Sequence, residues 1–337
     1  MDDALPKSLT ALAFAPFRAR APWWGADLQT VRNYLRPHAP LDGHAEERLV
    51  LPLGDGTGDR LSAALNRPAA PIAGRPLVIL IHGLTGDEMS VYMRRSAGHL
   101  LAQGYPVLRI NLRGAGPSRP LSRFQYHAGR TADLEMAIAA LPPELKAHGV
   151  AAVGFSLGGN MLLKFMGERG RAAPLRAAIS VSAPIDLAAT SQRMERWRNT
   201  AYRSHLMREM RNESLAPASD VTEAERRAVL ATRTIRDFDA VFSAPRNGFA
   251  TVDDYYEANA ARNYLGGIAV PTLVIHALDD PWVPSAPYIS HNWRANPALV
   301  PVLPRHGGHV GFHGIGHPAS WHDLAIAQFL GAVFSPP

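Results

Sequence analysis

The 337-residue sequence contains no cysteine and only three lysines. Without cysteine the chain cannot form a disulfide, use a thiol as a nucleophile or hold zinc or an iron–sulfur cluster through thiolates. Covalent catalysis would therefore need another nucleophile. Long apolar runs are also missing, since no stretch approaches the roughly 18–20 residues that span a bilayer. Because Asp2 and Asp3 precede a short apolar run where a signal peptide would be basic, we expect a cytoplasmic protein.

The few lysines also shape the interpretation of the net charge of +6. Almost all of the positive charge comes from arginines that are scattered through a chain rich in alanine, glycine and proline. Nucleic-acid binding typically shows as basic residues clustered within a recognisable motif. The sequence therefore predicts no nucleic-acid partner.

Short apolar runs alternate with segments of helical spacing, which predicts an α/β fold with a mostly parallel central sheet flanked by helices on both faces. A hairpin is expected to lead into this sheet over 48–53 and 60–66. The predicted buried strands are 77–81, 106–111, 150–155, 177–182, 272–277 and 299–303, and the predicted helices are 91–103, 131–141, 157–166 and 321–334.

Residues 185–265 interrupt this alternation, because they contain helical and loop-like sequence without a convincing buried strand. We interpret them as a helical cap inserted into a core made of residues 49–184 and 266–337, with residues 1–48 as an N-terminal extension. Within the insertion, 192–211 reads as one arginine-rich amphipathic helix. Such a helix can lie on a membrane surface, but its pattern favours an ordinary cap helix, so membrane contact is not expected.

Ser156 is the candidate nucleophile, because residues 154–158 read GFSLG and match the G-x-S-x-G pattern. The motif lies between a predicted strand and a predicted helix, where a sharp turn projects the serine hydroxyl outward. The alternative is a glycine-rich turn in which Ser156 only caps the helix. A catalytic serine needs a base, and the base needs a carboxylate that orients it.

Suitable partners follow Ser156 in the chain order of an α/β-hydrolase. Asp280 comes after the predicted strand 272–277 and is the candidate carboxylate. Asp279 is the second choice, and its expected role is hydrogen bonding within the loop. His309 comes after the predicted strand 299–303. Because the carboxyl ends of parallel strands share one edge of a sheet, we expect Ser156, Asp280 and His309 to meet there.

The backbone N–H groups of Leu84 and Leu157 are the candidate oxyanion hole, since backbone donors can stabilise a developing negative charge without moving. Leu84 follows the predicted strand 77–81, and Leu157 follows the nucleophile. The neighbouring His82 is expected to hold the turn rather than to act as a base.

Five histidines crowd the C-terminal part, which raises a metal site as the competing interpretation. They are separated by glycines that make a helix improbable, so their spacing does not bring them to one face, and no metal is expected. The five are His306, His309, His313, His317 and His322.

The chain resembles the YheT-like group of α/β-hydrolases from about residue 28 to residue 313. One departure is GAD at 25–27, where an Asn-Pro-His is expected ahead of LQT, and this leaves the role of the N-terminal segment open. The matching motifs are LQT at 28–30, HGLTG at 82–86, NLRG at 111–114, YHAG at 126–129 with Asp133, GFSLGGN at 154–160, TIRDFD at 234–239, GF at 248–249, YY at 255–256, DDP at 279–281 and GGHVGF at 307–312.

The resemblance implies a cofactor-independent serine hydrolase with a helical cap, and it carries the triad onto Ser156, Asp280 and His309. The implied reaction is carboxylic ester hydrolysis through an acyl-enzyme, on a small-molecule or lipid ester with a short- to medium-chain acyl group. Two alternatives stay open. The same triad could transfer the acyl group to an alcohol or thiol, or the chain could be a non-catalytic ligand-binding member of the fold.

Overall fold

A computed structural model describes residues 12–36, 41 and 43–334. One eight-stranded sheet organises this part of the chain, with the strand order β1-β2-β4-β3-β5-β6-β7-β8. The strands are β1 (Ala45–Pro52), β2 (Arg60–Arg67), β3 (Leu77–Ile81), β4 (Val107–Ile110), β5 (Val150–Phe155), β6 (Ala177–Val181), β7 (Thr272–Ile275) and β8 (Leu299–Val302).

The predicted hairpin and strands are confirmed, with strand ends displaced by at most three residues. Strands β1 and β2 pair antiparallel, as do β2 and β4, whereas every pair from β4 to β8 is parallel. Parallel strands place their carboxyl ends at one edge of the sheet. The loops after β3, β5, β7 and β8 therefore share that edge.

Helices cover both faces of the sheet, as the alternation of strand and helix predicted. The described helices are α1 (Ala26–Leu35), α2 (Val91–Ala102), α3 (Thr131–Ala139), α4 (Pro143–Lys146), α5 (Leu157–Arg169), α6 (Leu187–Met194), α7 (Thr200–Ser214), α8 (Glu223–Ala231), α9 (Ile235–Phe238), α10 (Ala244–Arg246), α11 (Val252–Asn259), α12 (Ala286–Ser290) and α13 (Trp321–Phe334).

The two layers follow from the alternation of side chains along each strand. In β3, Leu77 and Ile79 pack with helices α3 and α5, whereas Val78 and Leu80 pack with α2 and α13 on the opposite face. All five residues of β3 are buried. A continuous apolar run is expected for a strand that is covered on both faces.

Residues 182–271, which we call the β6–β7 segment, are all described and contain helices α6 to α11 but no strand. This segment builds apolar clusters of its own, one of which combines Met207, Met210 and Val229 with Phe238 and Phe242. The division of the chain into a core, a cap and an N-terminal extension stays a prediction.

The prediction of a single helix over 192–211 is wrong. Helix α6 ends at Met194, a 3₁₀ turn follows over Trp197–Asn199, and α7 begins at Thr200. The break is held by the buried Asn199, whose Nδ2 donates to the carbonyl oxygens of Arg193 and Pro281 at 3.0 and 2.9 Å. Because Pro281 is distant in sequence, the local amphipathic pattern could not reveal this break.

None of the helices in the described ranges is both long enough and apolar enough to cross a membrane.

Candidate active site

Ser156 occupies the sharp turn between β5 and α5 in a backbone conformation that side-chain-bearing residues rarely adopt, with φ 50° and ψ −121°. Its N–H donates to the Val181 carbonyl at 2.8 Å, and its own carbonyl accepts from the N–H groups of Gly159 and Asn160. Strained conformations of this kind persist only where surrounding structure holds them, and they concentrate at functional sites.

The glycines of the motif are needed because the backbone packs too closely for a Cβ atom. A Cβ on Gly154 would lie 2.4 Å from the Gly158 oxygen, and a Cβ on Gly158 would lie 2.4 Å from the His82 oxygen. The turn thus brings β5, α5 and the loop after β3 into direct contact.

The structure brings together the three residues that the sequence analysis proposed as a triad. The Nε2 atom of His309 lies 2.9 Å from the Ser156 Oγ, and its Nδ1 lies 2.8 Å from Oδ2 of Asp280. An ionised carboxylate only accepts hydrogen bonds, so Nδ1 carries the proton and Nε2 accepts one from the Ser156 hydroxyl. This is the tautomer that a general base requires.

Asp280 is buried at the carboxyl end of β7. Burial alone would raise the pKa of its carboxyl, but the adjacent His309, its hydrogen bond and the Val283 N–H hold that pKa below its usual value. Oδ1 accepts from the N–H groups of Trp282 and Val283 at 2.8 and 3.0 Å. The carboxylate is therefore ionised and fixed in orientation.

Asp279 serves a different part of the loop. Its Oδ1 accepts a hydrogen bond from the Gly308 N–H at 3.0 Å, and its Oδ2 lies 3.1 Å from Nδ1 of His306. Of the two neighbouring acids, only Asp280 contacts His309.

Helix α1 holds the loop that carries His309. The sequence analysis missed this role of α1. Thr30 Oγ1 accepts the His309 N–H at 2.9 Å, Asn33 donates to the Val310 carbonyl, and the Gln29 amide bonds both the N–H and the carbonyl of His313. The available signal was the group of polar residues in a short helix, which lie at i, i+1 and i+4 and so share one face.

Trp282 also shapes the surroundings of His309. Its ring stacks on the imidazole with a centroid separation of 4.4 Å and an interplanar angle of 26°. Because the indole covers one face of the imidazole, it restricts rotation of the His309 side chain away from its hydrogen bonds to Ser156 and Asp280.

Leu84 and Leu157 both line the cavity onto which Ser156 opens. The N–H groups on either side of Leu84 are occupied, because Gly83 donates to the Tyr92 hydroxyl at 2.9 Å and Thr85 donates to the Tyr126 hydroxyl at 2.8 Å. Within the described residues, the Leu84 N–H has no acceptor. Leu157 is the first residue of α5, where an N–H has no partner inside its own helix.

The other histidines have separate surroundings. His82 is buried, with Nε2 accepting the Leu112 N–H at 3.0 Å and Nδ1 2.8 Å from the Gly83 carbonyl, and burial lowers its pKa to about 4. His313 lies against Arg32 and His322 against Asp323. Among the residues that the structure describes, no three His, Asp or Glu side chains are placed to share a metal ion.

The cavity at Ser156 has a volume of about 510 Å³ and is formed by both the sheet side and the β6–β7 segment. Ligand sites typically occupy about 300–1,000 Å³ and are mostly apolar. Apolar residues from the β6–β7 segment that line it include Leu187, Met194, Leu206, Met210, Phe238 and Phe242.

Four acidic side chains interrupt this mostly apolar wall, and Glu213 is one of them. Glu213 of α7 accepts a hydrogen bond of 3.1 Å from the Tyr126 hydroxyl, and Tyr126 in turn accepts the Thr85 N–H. Burial raises the pKa of the Glu213 carboxyl to about 8. This carboxyl is therefore largely protonated at neutral pH, and it links the β6–β7 segment to the loop that carries Leu84.

A mostly parallel sheet with Ser156, Asp280 and His309 together at its carboxyl edge defines an α/β-hydrolase architecture. Residues 76–314 match the family model described as alpha/beta hydrolase fold, which is more than half of the chain. The chain therefore belongs to the α/β-hydrolase fold family.

Comparison with curated proteins confirms the resemblance to the YheT-like group. YheT of Escherichia coli (strain K12), which is provisionally named an esterase, is 32% identical over 84% of this chain and 84% of its own length. Phospholipase ABHD3 of Mus musculus is 30% identical over 77% of this chain, and the match spans 64% of that protein. The chain thus covers less than two thirds of this phospholipase.

Solved structures agree on the fold. The Pyrococcus furiosus esterase PF2001 superposes with a TM-score of 0.55 at 16% identity, covering 96% of this chain and 100% of that chain. At such low identity the likeness describes the architecture alone.

The close packing at the nucleophile turn generates a first prediction. We expect Gly158→Ala to lower the free energy of unfolding by about 2–4 kcal/mol, because the new methyl group meets backbone oxygens that cannot move aside. Gly331→Ala in α13 is the matched control, since nothing lies within 4 Å of its added Cβ. Urea unfolding measures both, and equal stabilities would contradict the packing argument.

Glu213 generates a prediction about pH. The folded protein keeps a proton on this carboxyl up to about pH 8, whereas the unfolded chain releases it near pH 4.5. The free energy of unfolding must therefore fall as pH rises between these values. Between pH 6 and pH 8 we expect wild type to lose about 1–2 kcal/mol more than Glu213→Gln, because glutamine cannot ionise.

Urea unfolding at both pH values measures this difference. The control is Glu223→Gln, which alters an exposed carboxylate in the same segment and should leave the wild-type pH dependence unchanged. Identical pH dependence in wild type and Glu213→Gln would show that Glu213 titrates normally.

Proposed function

We propose that the protein hydrolyses carboxylic esters through an acyl-enzyme on Ser156. The observation that carries the proposal is the position of His309, which lies within hydrogen-bond distance of both the Ser156 hydroxyl and the buried Asp280 carboxylate at the wall of an apolar cavity. The names of its curated relatives, an esterase and a phospholipase, support the same reaction class.

The first half of the reaction acylates the serine. Ser156 Oγ attacks the ester carbonyl carbon while its proton passes to Nε2 of His309, and the carbonyl electron pair moves onto oxygen. When the tetrahedral intermediate collapses, the C–O bond to the alcohol breaks and His309 returns the proton to the leaving oxygen. The products of this half are an acylated Ser156 and the free alcohol.

The second half repeats these steps with water. His309 removes a proton from a water molecule, and the resulting hydroxide attacks the acyl carbon. The tetrahedral intermediate then collapses to a carboxylic acid as the C–Oγ bond breaks and His309 returns the proton to Ser156 Oγ. Throughout, Asp280 accepts the Nδ1–H bond and stabilises the positive charge that forms on the imidazole. No cofactor is needed for either half.

Negative charge develops on the carbonyl oxygen in both halves. The N–H groups of Leu84 and Leu157 supply the proposed oxyanion hole, because both residues line the cavity and neither N–H has a hydrogen-bond acceptor within the described residues. Backbone donors fixed in advance are among the largest contributors to such catalysis, since they do not reorganise during reaction.

The cavity favours an ester with an apolar acyl group. Its wall is mostly apolar, with leucine, methionine and phenylalanine side chains, and its size suits a short- to medium-chain acyl group or part of a lipid. The proposed substrate is accordingly a small-molecule or lipid ester.

The serine role is tested with p-nitrophenyl esters from acetyl to palmitoyl. We expect Ser156→Ala to lower kcat by about 10⁴–10⁶, because the nucleophile acts as a unit with its base. Ser290→Ala, which changes an exposed serine, should retain wild-type turnover. Ester turnover that survives in Ser156→Ala would refute the mechanism, and an active wild type that yields only new esters when alcohol is supplied would make it an acyltransferase.

The neighbouring acids Asp279 and Asp280 offer a matched pair of variants. We expect Asp280→Asn to lower kcat by about 10³–10⁴, because the amide can donate to Nδ1 and so favours the wrong tautomer of His309. Asp279→Asn should stay within about tenfold of wild type, since that side chain bonds Gly308 and His306 instead. Equal losses in steady-state kinetics would contradict the assignment of Asp280.

A further inference from the structure

Helix α1 has its polar face inside and its apolar face outside. Gln29, Thr30 and Asn33 are buried, whereas Leu28 and Leu35 are 44% and 61% exposed. An amphipathic helix on a globular protein normally buries its apolar stripe. The inward polar face is explained by its bonds to the His309 loop, but the outward apolar face has no such role within the described chain.

Other exposed apolar side chains continue this face around the mouth of the cavity. Tyr34 lines the cavity and its ring meets His205 edge-on at a centroid separation of 5.6 Å, and the half-exposed Met89 lines the cavity as well. Trp197, which is 89% exposed, neighbours Arg198. We call this set the apolar rim, and it comprises Leu28, Tyr34, Leu35, Met89 and Trp197.

Contacts show that the part of the apolar rim on α1 lies beside the part that contains Trp197. Arg198 pairs with Asp27 of α1 at 3.0 Å, and the Tyr202 hydroxyl donates to the same carboxylate at 3.0 Å. The start of α7 therefore lies against the start of α1. Trp197 and Leu28, which each neighbour one of these residues in sequence, are on the same part of the surface.

Arginines flank the apolar rim at both ends. Near α1, burial together with the closeness of Arg95, Arg20 and Arg36 lowers the pKa of Arg32 to about 10. At the other end, Arg196 and Arg198 lie close to Arg193. The acidic groups near this surface include Asp27, which is paired with Arg198, and Glu209, which lies near Tyr34. They also include Asp87, which accepts the Met89 N–H, and Glu195, which is paired with Arg203.

We propose that the apolar rim docks on an anionic membrane surface and places the mouth of the cavity against the lipid. Aromatic and leucine side chains enter the boundary between headgroups and acyl chains, and flanking arginines bind anionic headgroups. A second copy of the chain fits less well, because a two-fold contact through one patch would bring like-charged arginines together.

The test is co-sedimentation with vesicles of phosphatidylcholine alone or mixed with phosphatidylglycerol, at low and high salt. We expect wild type to bind the anionic vesicles and to be released by salt. Leu28→Ser/Leu35→Ser should bind about tenfold more weakly or worse, because two leucine side chains no longer enter the lipid. Ile72→Ser, which changes a comparably exposed side chain outside the apolar rim, should bind like wild type.

Two controls separate docking from folding and from catalysis. Leu28 and Leu35 do not line the cavity, so the double variant should keep wild-type thermal unfolding and wild-type turnover of soluble esters. Binding is scored without turnover, and Ser156→Ala should bind vesicles as wild type does. The docking proposal and the proposed function can therefore fail independently.

Three results would overturn the proposal. In the first, wild type fails to bind anionic vesicles. In the second, the folded double variant binds them as tightly as wild type does. In the third, sedimentation velocity shows a wild-type dimer that does not bind vesicles, and the double variant Leu28→Ser/Leu35→Ser is monomeric. The last result would assign the apolar rim to self-association.

Discussion

The close approach of three backbone segments at Ser156 is the constraint on which the site depends. Strand β3 pairs with β5 in register from Leu77↔Val150 to Ile81↔Gly154, so the loops that follow the two strands emerge side by side. A Cβ on Gly83 would lie 2.9 Å from the Cβ of Ser156. Because neither loop has room for larger residues, the proposed nucleophile and the Leu84 N–H are held at one place by the packing of the sheet itself.

The remaining site residues depend on the order of the strands. Asp280 and His309 follow β7 and β8, which pair with each other, and β7 also pairs with β6 beside the nucleophile strand. The loop after β8 is irregular, with positive φ at Val310 and Phe312. Buried irregular backbone needs hydrogen-bond partners, and the polar side chains of α1 provide them.

Most of the fold and the three central residues could be predicted from the sequence, because strand ends and a short motif are local signals. Asp279 and Asp280 are adjacent in sequence, and only the turn geometry decides which one faces His309. The break at Asn199 depends on the carbonyl of Pro281, which no local pattern contains. Tertiary hydrogen bonds of this kind explain each place where the prediction was wrong or incomplete.

Helix α1 shows how one requirement of the site creates an unusual surface. In this helix of ten residues, the three buried positions are taken by Gln29, Thr30 and Asn33, whose side chains bond a buried loop. Leu28 and Leu35 consequently face outward, where their exposure to water is unfavourable until something covers them. The residues that orient His309 and the residues that remain uncovered are thus two faces of the same short helix, so the support of the site and the character of its rim are set together.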